Sequence, residues 1–162
     1  MKLNLSPSLI ARAYADPLSW LNLAVDLLPL WAILQFGWGA TPLVALYWLE
    51  NLVIGLFAAA RMAGAGIAQL AKGELAGAAA FFLVPFFCFH YGAFCWGHGI
   101  FIATFADQTL GLPSPQGLIG WALGTGPHML WFLGAILAVN LVFFLVDFIG
   151  RGEITRTKLD AE

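Results

Sequence analysis

The seven lysine and arginine residues of this chain all lie outside its long apolar stretches, and this pattern strongly constrains the fold. They occur before the first stretch, between the second and third, and after the last: Lys2 and Arg12, then Arg61 and Lys72, then Arg151, Arg156 and Lys158. Because positive residues are retained on the cytoplasmic side during membrane insertion, the pattern predicts four membrane-spanning helices with both termini in the cytoplasm. The predicted fold class is therefore an all-α, polytopic transmembrane bundle.

The composition favours a single membrane domain. The chain of 162 residues is 61% hydrophobic and 10% charged, with a mean hydropathy of +0.86, which leaves too little polar surface for a soluble domain of this size. A net charge of -2 without a basic stripe gives no reason to expect a nucleic-acid partner. The lipid bilayer is the expected environment.

Predicted segment boundaries follow from the apolar runs, since a helix needs about 20 residues to cross the hydrocarbon core. The four predicted spans are residues 18–38, 42–61, 79–105 and 127–149. We expect residues 1–17 to form an interfacial segment without a cleavable signal, residues 62–78 a cytoplasmic connection that is partly helical, and residues 150–162 a cytoplasmic tail. The apolar piece at residues 117–123 is too short to span and is expected in the outer interface.

A set of polar residues falls close to the predicted midplane of the membrane, with at least one on every span. The members of this polar midplane cluster are Asp26, Glu50, Asn51, His90 and Asn140. One interpretation is a proton-sharing or metal-binding cluster, in which Glu50 is the candidate acid or base and His90 its partner. The other is that these side chains form interhelical hydrogen bonds.

Histidines and carboxylates make a bound metal or macrocycle an open alternative. The candidate metal ligands are Glu50, His90, His98 and His128. On one helix His90 and His98 would be about 12 Å apart, so a single ion cannot bind both. A haem or a chlorin needs only one axial histidine, for which His98 and His90 are the candidates.

A row of small residues follows one face of the third predicted span. Its members are Cys88, Gly92, Cys95, Gly99 and Ala103. Small side chains let another helix approach closely, whether that helix belongs to this chain or to a partner. The two cysteines are about 10 Å apart on a helix, too far for a disulfide.

Two segments resemble the signature segments of a prokaryotic family of small integral membrane proteins of uncharacterised function. They are YWLENLVIGLF at residues 47–57 and HYGAFCWGHGIF at residues 90–101, and residues 151–157 are also similar. The resemblance implies the family's fold and a multi-pass protein of the prokaryotic cytoplasmic (inner) membrane, with no assigned reaction. If the family has an intramembrane active site, Glu50, Asn51, His90 and His98 hold its matching positions.

Two departures from that family shape the functional prediction. Family members often carry histidine where this chain has Asn140, and they continue into a further membrane helix, whereas this sequence stops at Glu162. These departures favour a non-catalytic accessory or structural subunit that packs against other membrane-protein subunits or against itself. The alternatives are a metal- or macrocycle-binding enzyme that uses the midplane Glu and His residues, and a transporter of protons or small solutes that uses Asp26 and Glu50.

Overall fold

The computed structural model describes Ala15, residues 17–107, residues 111–150 and Gly152. Its α-helices are α1 (Pro17–Asp26), α2 (Leu28–Phe36), α3 (Ala40–Ala71), α4 (Ala80–Ala106), α5 (Pro115–Gly124) and α6 (Met129–Phe143). A 3₁₀ segment, Leu75–Ala79, leads into α4, and a π-helical segment, Phe144–Gly150, extends α6. The predicted interfacial segment and the predicted C-terminal tail lie almost entirely outside the described residues.

Among the described residues, four helical segments are long and apolar enough to cross a membrane. They are Pro17–Phe36, Ala40–Ala71, Leu75–Ala106 and Met129–Gly150. This confirms the predicted all-α bundle with four spans. Below, the hairpin end is the end of the bundle at the 3₁₀ segment, and the α5 end is the opposite one.

The first span is two helices rather than the single helix predicted at residues 18–38. The break is confined to Leu27, because its N–H still donates to Leu23 O at 3.1 Å and its carbonyl accepts from Trp31 N at 3.2 Å. Pro29 explains the local weakness, since proline has no N–H to donate to the carbonyl of the residue four positions earlier. The break therefore lies directly after Asp26.

The second span, α3, continues to Ala71, ten residues beyond the predicted end at Arg61. The predicted partly helical connection at residues 62–78 is thus helical over residues 62–71, where it continues α3, and the remaining connection to the 3₁₀ segment is short. Alanine favours this extension, and Gly66 and Gln69 are buried where the 3₁₀ segment packs against α3. Gly77 makes that contact so closely that a Cβ atom there would strike the Gly66 carbonyl oxygen.

The α3–α4 interface is built around one tryptophan. Trp48 is 3% exposed, and its indole Nε1 donates to Cys95 O on α4 at 2.9 Å. Gly99 lies against the same ring, where a Cβ atom would come within 2.7 Å of it. One turn away, the Tyr91 hydroxyl donates to Asn51 O at 3.0 Å. Small residues and a buried hydrogen bond therefore hold α4 on α3, as expected for helices in lipid.

The opposite side of α3 packs against α6, and α6 in turn packs against the first span. Phe132 of α6 is buried, and its ring lies 4.7 Å from that of Trp38, centroid to centroid. Towards the hairpin end, the Phe57 and Phe144 rings are 5.7 Å apart, and the Arg61 guanidinium lies 5.8 Å from the Phe148 ring centroid. Helix α3 is consequently the central element of the bundle.

Helix α4 lies at the edge of the bundle. It packs on α3, the 3₁₀ segment and α5, and most of its aromatic side chains are not covered by the described part of the chain. The exposed phenylalanines of α4 are Phe81, Phe82, Phe86, Phe89, Phe94, Phe101 and Phe105. This surface is available to lipid or to another membrane protein.

Candidate functional site

A cavity of about 260 Å³ lies between the first span, α3 and α6. Its lining residues are Val25, Asp26, Leu28, Pro29, Leu46, Tyr47, Glu50, Phe132 and Ile136. The volume exceeds that of several water molecules, each of which takes about 30 Å³ in the liquid. Most of the wall is apolar, so the two carboxyl groups define its chemistry.

Asp26 lies at the cavity directly before the break in the first span. Glu50 lies there because it is two residues after Trp48 on α3 and therefore points to the side opposite α4. Asn22 Nδ2 donates to Asp26 Oδ2 at 3.0 Å, which orients that carboxyl group. Glu50 is half-buried and lines the same cavity as Asp26. The carboxyl groups are thus neighbours that belong to different spans.

The helical hydrogen bonding is interrupted beside the same wall. Val25 lines the cavity, and its carbonyl cannot receive the usual helical hydrogen bond because Pro29 has no N–H. Two adjacent carboxylates in an apolar, low-dielectric setting are costly unless something positive lies between them. The arrangement can therefore hold a proton or a cation with oxygen ligands, and broken helices at such a site are known from transporters.

The two histidines of α4 lie elsewhere. His90 is exposed on the side of α4 that faces away from α3, with its ring stacked on that of Phe86 at a centroid distance of 5.7 Å. His98 is also exposed and borders a groove on the surface of α4. Helix α3 lies between both imidazoles and the cavity of Glu50, so the predicted pairing of Glu50 with His90 is not assembled within the chain.

The remaining candidates occupy separate places. His128 precedes α6 in a left-handed conformation, with φ 62°, and its ring lies 4.8 Å from that of Phe36 at the α5 end. Asn140 Nδ2 donates to Ile136 O at 2.9 Å within its own helix. Over the described ranges, no three His, Cys, Asp or Glu side chains are grouped so that they could hold a metal ion.

The row of small residues on α4 divides into two parts. Cys95, Gly99 and Ala103 are buried, and their close neighbour is α3 of the same chain. Cys88 and Gly92, nearer the hairpin end, are exposed. The small residues at the α5 end of α4 therefore pack against the same chain. The two small residues nearer the hairpin end are not covered by the described part of the chain.

The sequence analysis does not identify two features of the site. Pro29, three residues after Asp26, signals a helix break beside a carboxylate, and that signal was available in the sequence. The position of Tyr47 in the cavity wall could not be predicted from the sequence, because it depends on which face of α3 is turned towards the first span.

Comparison with known proteins gives a family but no activity. A family model described as a family of unknown function, DUF6498, matches residues 8–162. No curated protein and no solved structure matches the sequence. Since the matched region covers nearly the whole chain, this protein belongs to the DUF6498 family of unknown function.

Proposed function

We propose that this protein is a non-catalytic accessory subunit that packs through α4 against other membrane-protein chains. The observation that carries the proposal is the position of His90 and His98, which α4 exposes on the outside of the bundle. Ionisable residues in membrane spans almost always face a protein interior or a wet cavity, because exposure to lipid costs several kcal/mol. A face with two imidazoles is therefore better suited to a protein contact than to lipid.

The proposal includes insertion in a prokaryotic cytoplasmic membrane with the hairpin end in the cytoplasm. The location of the positive charges supports this orientation. Leu75 at the hairpin end and Leu112 before α5 are a matched pair for testing it, because they are 85% and 87% exposed. Replaced singly by cysteine, Leu112 should react with an impermeant thiol reagent on intact cells, and Leu75 only after lysis.

A photocrosslinking experiment in native membranes tests the subunit proposal. A benzophenone amino acid in place of Phe94, which is 72% exposed on α4, should form a covalent adduct with a discrete protein. The matched control is Trp131 of α6, which is 79% exposed. Adducts should be identified by mass spectrometry. A purified chain that remains monomeric and forms no adduct at position 94 would contradict the proposal.

The Asp26–Glu50 cavity favours a second candidate function, the binding of a proton or cation for transport. The purified chain in proteoliposomes would then carry a proton or monovalent-cation flux that Glu50→Gln abolishes, since the amide keeps the shape of the side chain but removes its charge. Glu74→Gln is the control, because Glu74 lies in the connection before the 3₁₀ segment and away from the cavity. An equal flux in the wild type and Glu50→Gln would exclude this function.

A further inference from the structure

We infer that the exposed face of α4 with His90, Gly97 and His98 is the contact between two copies of this chain. The inference rests on the proposed subunit function and names the partner. It depends on three properties of this face: a groove for a close helix approach, polar groups that need partners, and the depth at which those groups lie in each copy.

The groove lies where two small residues are exposed four positions apart. Ala93 and Gly97 line a cavity of about 430 Å³ on the surface of α4, together with Phe94, His98 and Phe101. A Cβ atom added to Gly97 would meet nothing within 4 Å, so the groove is open towards the membrane. Small residues at this spacing let the backbones of two membrane helices come together.

The polar groups on the same face need partners from outside the chain. His90 precedes Gly97 by about two helical turns, which places both on one side of α4. A neutral imidazole has one hydrogen-bond donor and one acceptor, and lipid can satisfy neither. Within the described ranges, His90 stacks on Phe86, and this contact uses the ring face rather than its nitrogen atoms.

Depth is the reason to choose a second copy over another protein. All copies of a membrane protein insert in the same orientation, so two α4 helices related by a two-fold axis along the membrane normal run parallel. Each residue then meets its own counterpart at one depth, and the second copy's His90 lies opposite His90. Because imidazole is both donor and acceptor, this pair is self-complementary.

The aromatic side chains complete the match. Phe94 and Phe101 are 72% and 60% exposed, and both line the groove, one on each side of Gly97 along the helix. In a two-fold pair, each groove can accept a phenyl ring from the other copy, so one surface supplies both the knob and the hole. A face of this kind does not require a partner of different sequence.

Cysteine crosslinking in intact membranes tests the inference. In a chain with Cys88→Ala and Cys95→Ala, the Gly97→Cys variant should form a disulfide-linked dimer on oxidation with copper phenanthroline. The matched control is Ala138→Cys on α6, because each position lies nine residues from the α5 end of its helix and both are exposed. Crosslinking of both variants to the same extent, or of neither, would overturn the inference.

A second measurement separates packing from hydrogen bonding. The His90→Leu variant should weaken the self-association of two differently tagged copies about fivefold, as expected for one lost interhelical hydrogen-bonded pair. Gly97→Leu should weaken it as well, by filling the groove, while the helical circular dichroism of both variants stays that of the wild type. Unchanged self-association in both variants would overturn the inference.

The outcomes also separate this inference from the proposed function. If position 94 crosslinks to a different protein and position 97 gives no disulfide-linked dimer, the second copy is excluded and the subunit function stands. If neither position gives an adduct, both proposals fail.

Discussion

Replacing Trp48 with alanine is expected to lower the free energy of unfolding by about 3–5 kcal/mol, the usual cost of truncating a buried tryptophan. The side chain is 3% exposed, fills the space over Gly99, and donates to Cys95 O at 2.9 Å. In lipid the helices gain little from hydrophobic transfer, so packing and this hydrogen bond account for most of the effect. Equilibrium unfolding in mixed detergent micelles, followed by far-ultraviolet circular dichroism, measures it.

The control for Trp48→Ala is Trp131→Ala on α6. Trp131 is 79% exposed, so its removal should change the free energy of unfolding by no more than about 0.5 kcal/mol. Both variants lose the same indole group, and they differ in what surrounds it. Equal losses in the two variants would show that Trp48 does not hold α4 on α3.

Replacing Gly99 with leucine is expected to lower the free energy of unfolding by about 3 kcal/mol, the upper end of the range for overpacking. A Cβ atom at this position would lie 2.7–2.8 Å from three atoms of the Trp48 indole. The ring cannot yield without losing its hydrogen bond to Cys95 O, so α4 has to move away from α3. The same unfolding experiment measures the loss.

Gly92→Leu is the matched control for Gly99→Leu. Both glycines lie inside α4, so both replacements gain the same helix propensity, but a Cβ atom on Gly92 would meet nothing within 4 Å. We expect Gly92→Leu to be neutral or slightly stabilising. Combining Gly99→Leu with Trp48→Ala should cost less than the two single losses together, because the smaller residue makes room for the larger one. Strict additivity would contradict a direct contact.

These variants bear on function because Trp48 and Gly99 hold α4 in position. Helix α4 packs on α3, the 3₁₀ segment and α5, and its exposed side presents His90 and His98. A shift of α4 would alter both the proposed contact between copies and the photocrosslink at Phe94. Loss of crosslinking in Gly99→Leu with retention in Gly92→Leu would link the stability of this interface to the proposed function.

Most of the fold was predictable because few backbone structures are stable in a membrane. Backbone groups in lipid must be hydrogen-bonded within the span, so an apolar run of sufficient length forms a helix. The four spans followed from this rule. Helix α3 exceeds its predicted end because residues 62–71, rich in alanine and glycine, pack against the 3₁₀ segment, a contact that hydropathy does not report.

The candidate site was predictable only in part, because depth along a helix is readable from sequence and rotation about its axis is not. Glu50 and His90 were placed at one depth, yet Glu50 lines the cavity with Asp26 whereas His90 lies on the far side of α4. Hydropathy does not mark the packed face of α4, because the helix is apolar on nearly every side. The row of small residues does mark part of it, since Cys95, Gly99 and Ala103 are buried. Trp48 against Gly99 selects that face by shape.

The sequence by itself determined the number of spans, their helical state and the polar residues they contain, because hydropathy and backbone hydrogen bonding act locally along the chain. Tertiary structure alone decided which polar residues meet: it joined Asp26 to Glu50 and left His90 and His98 on the outside. The physical reason is that helix packing in lipid depends on close steric fit between small and large residues, and this fit becomes visible only when the helices are together.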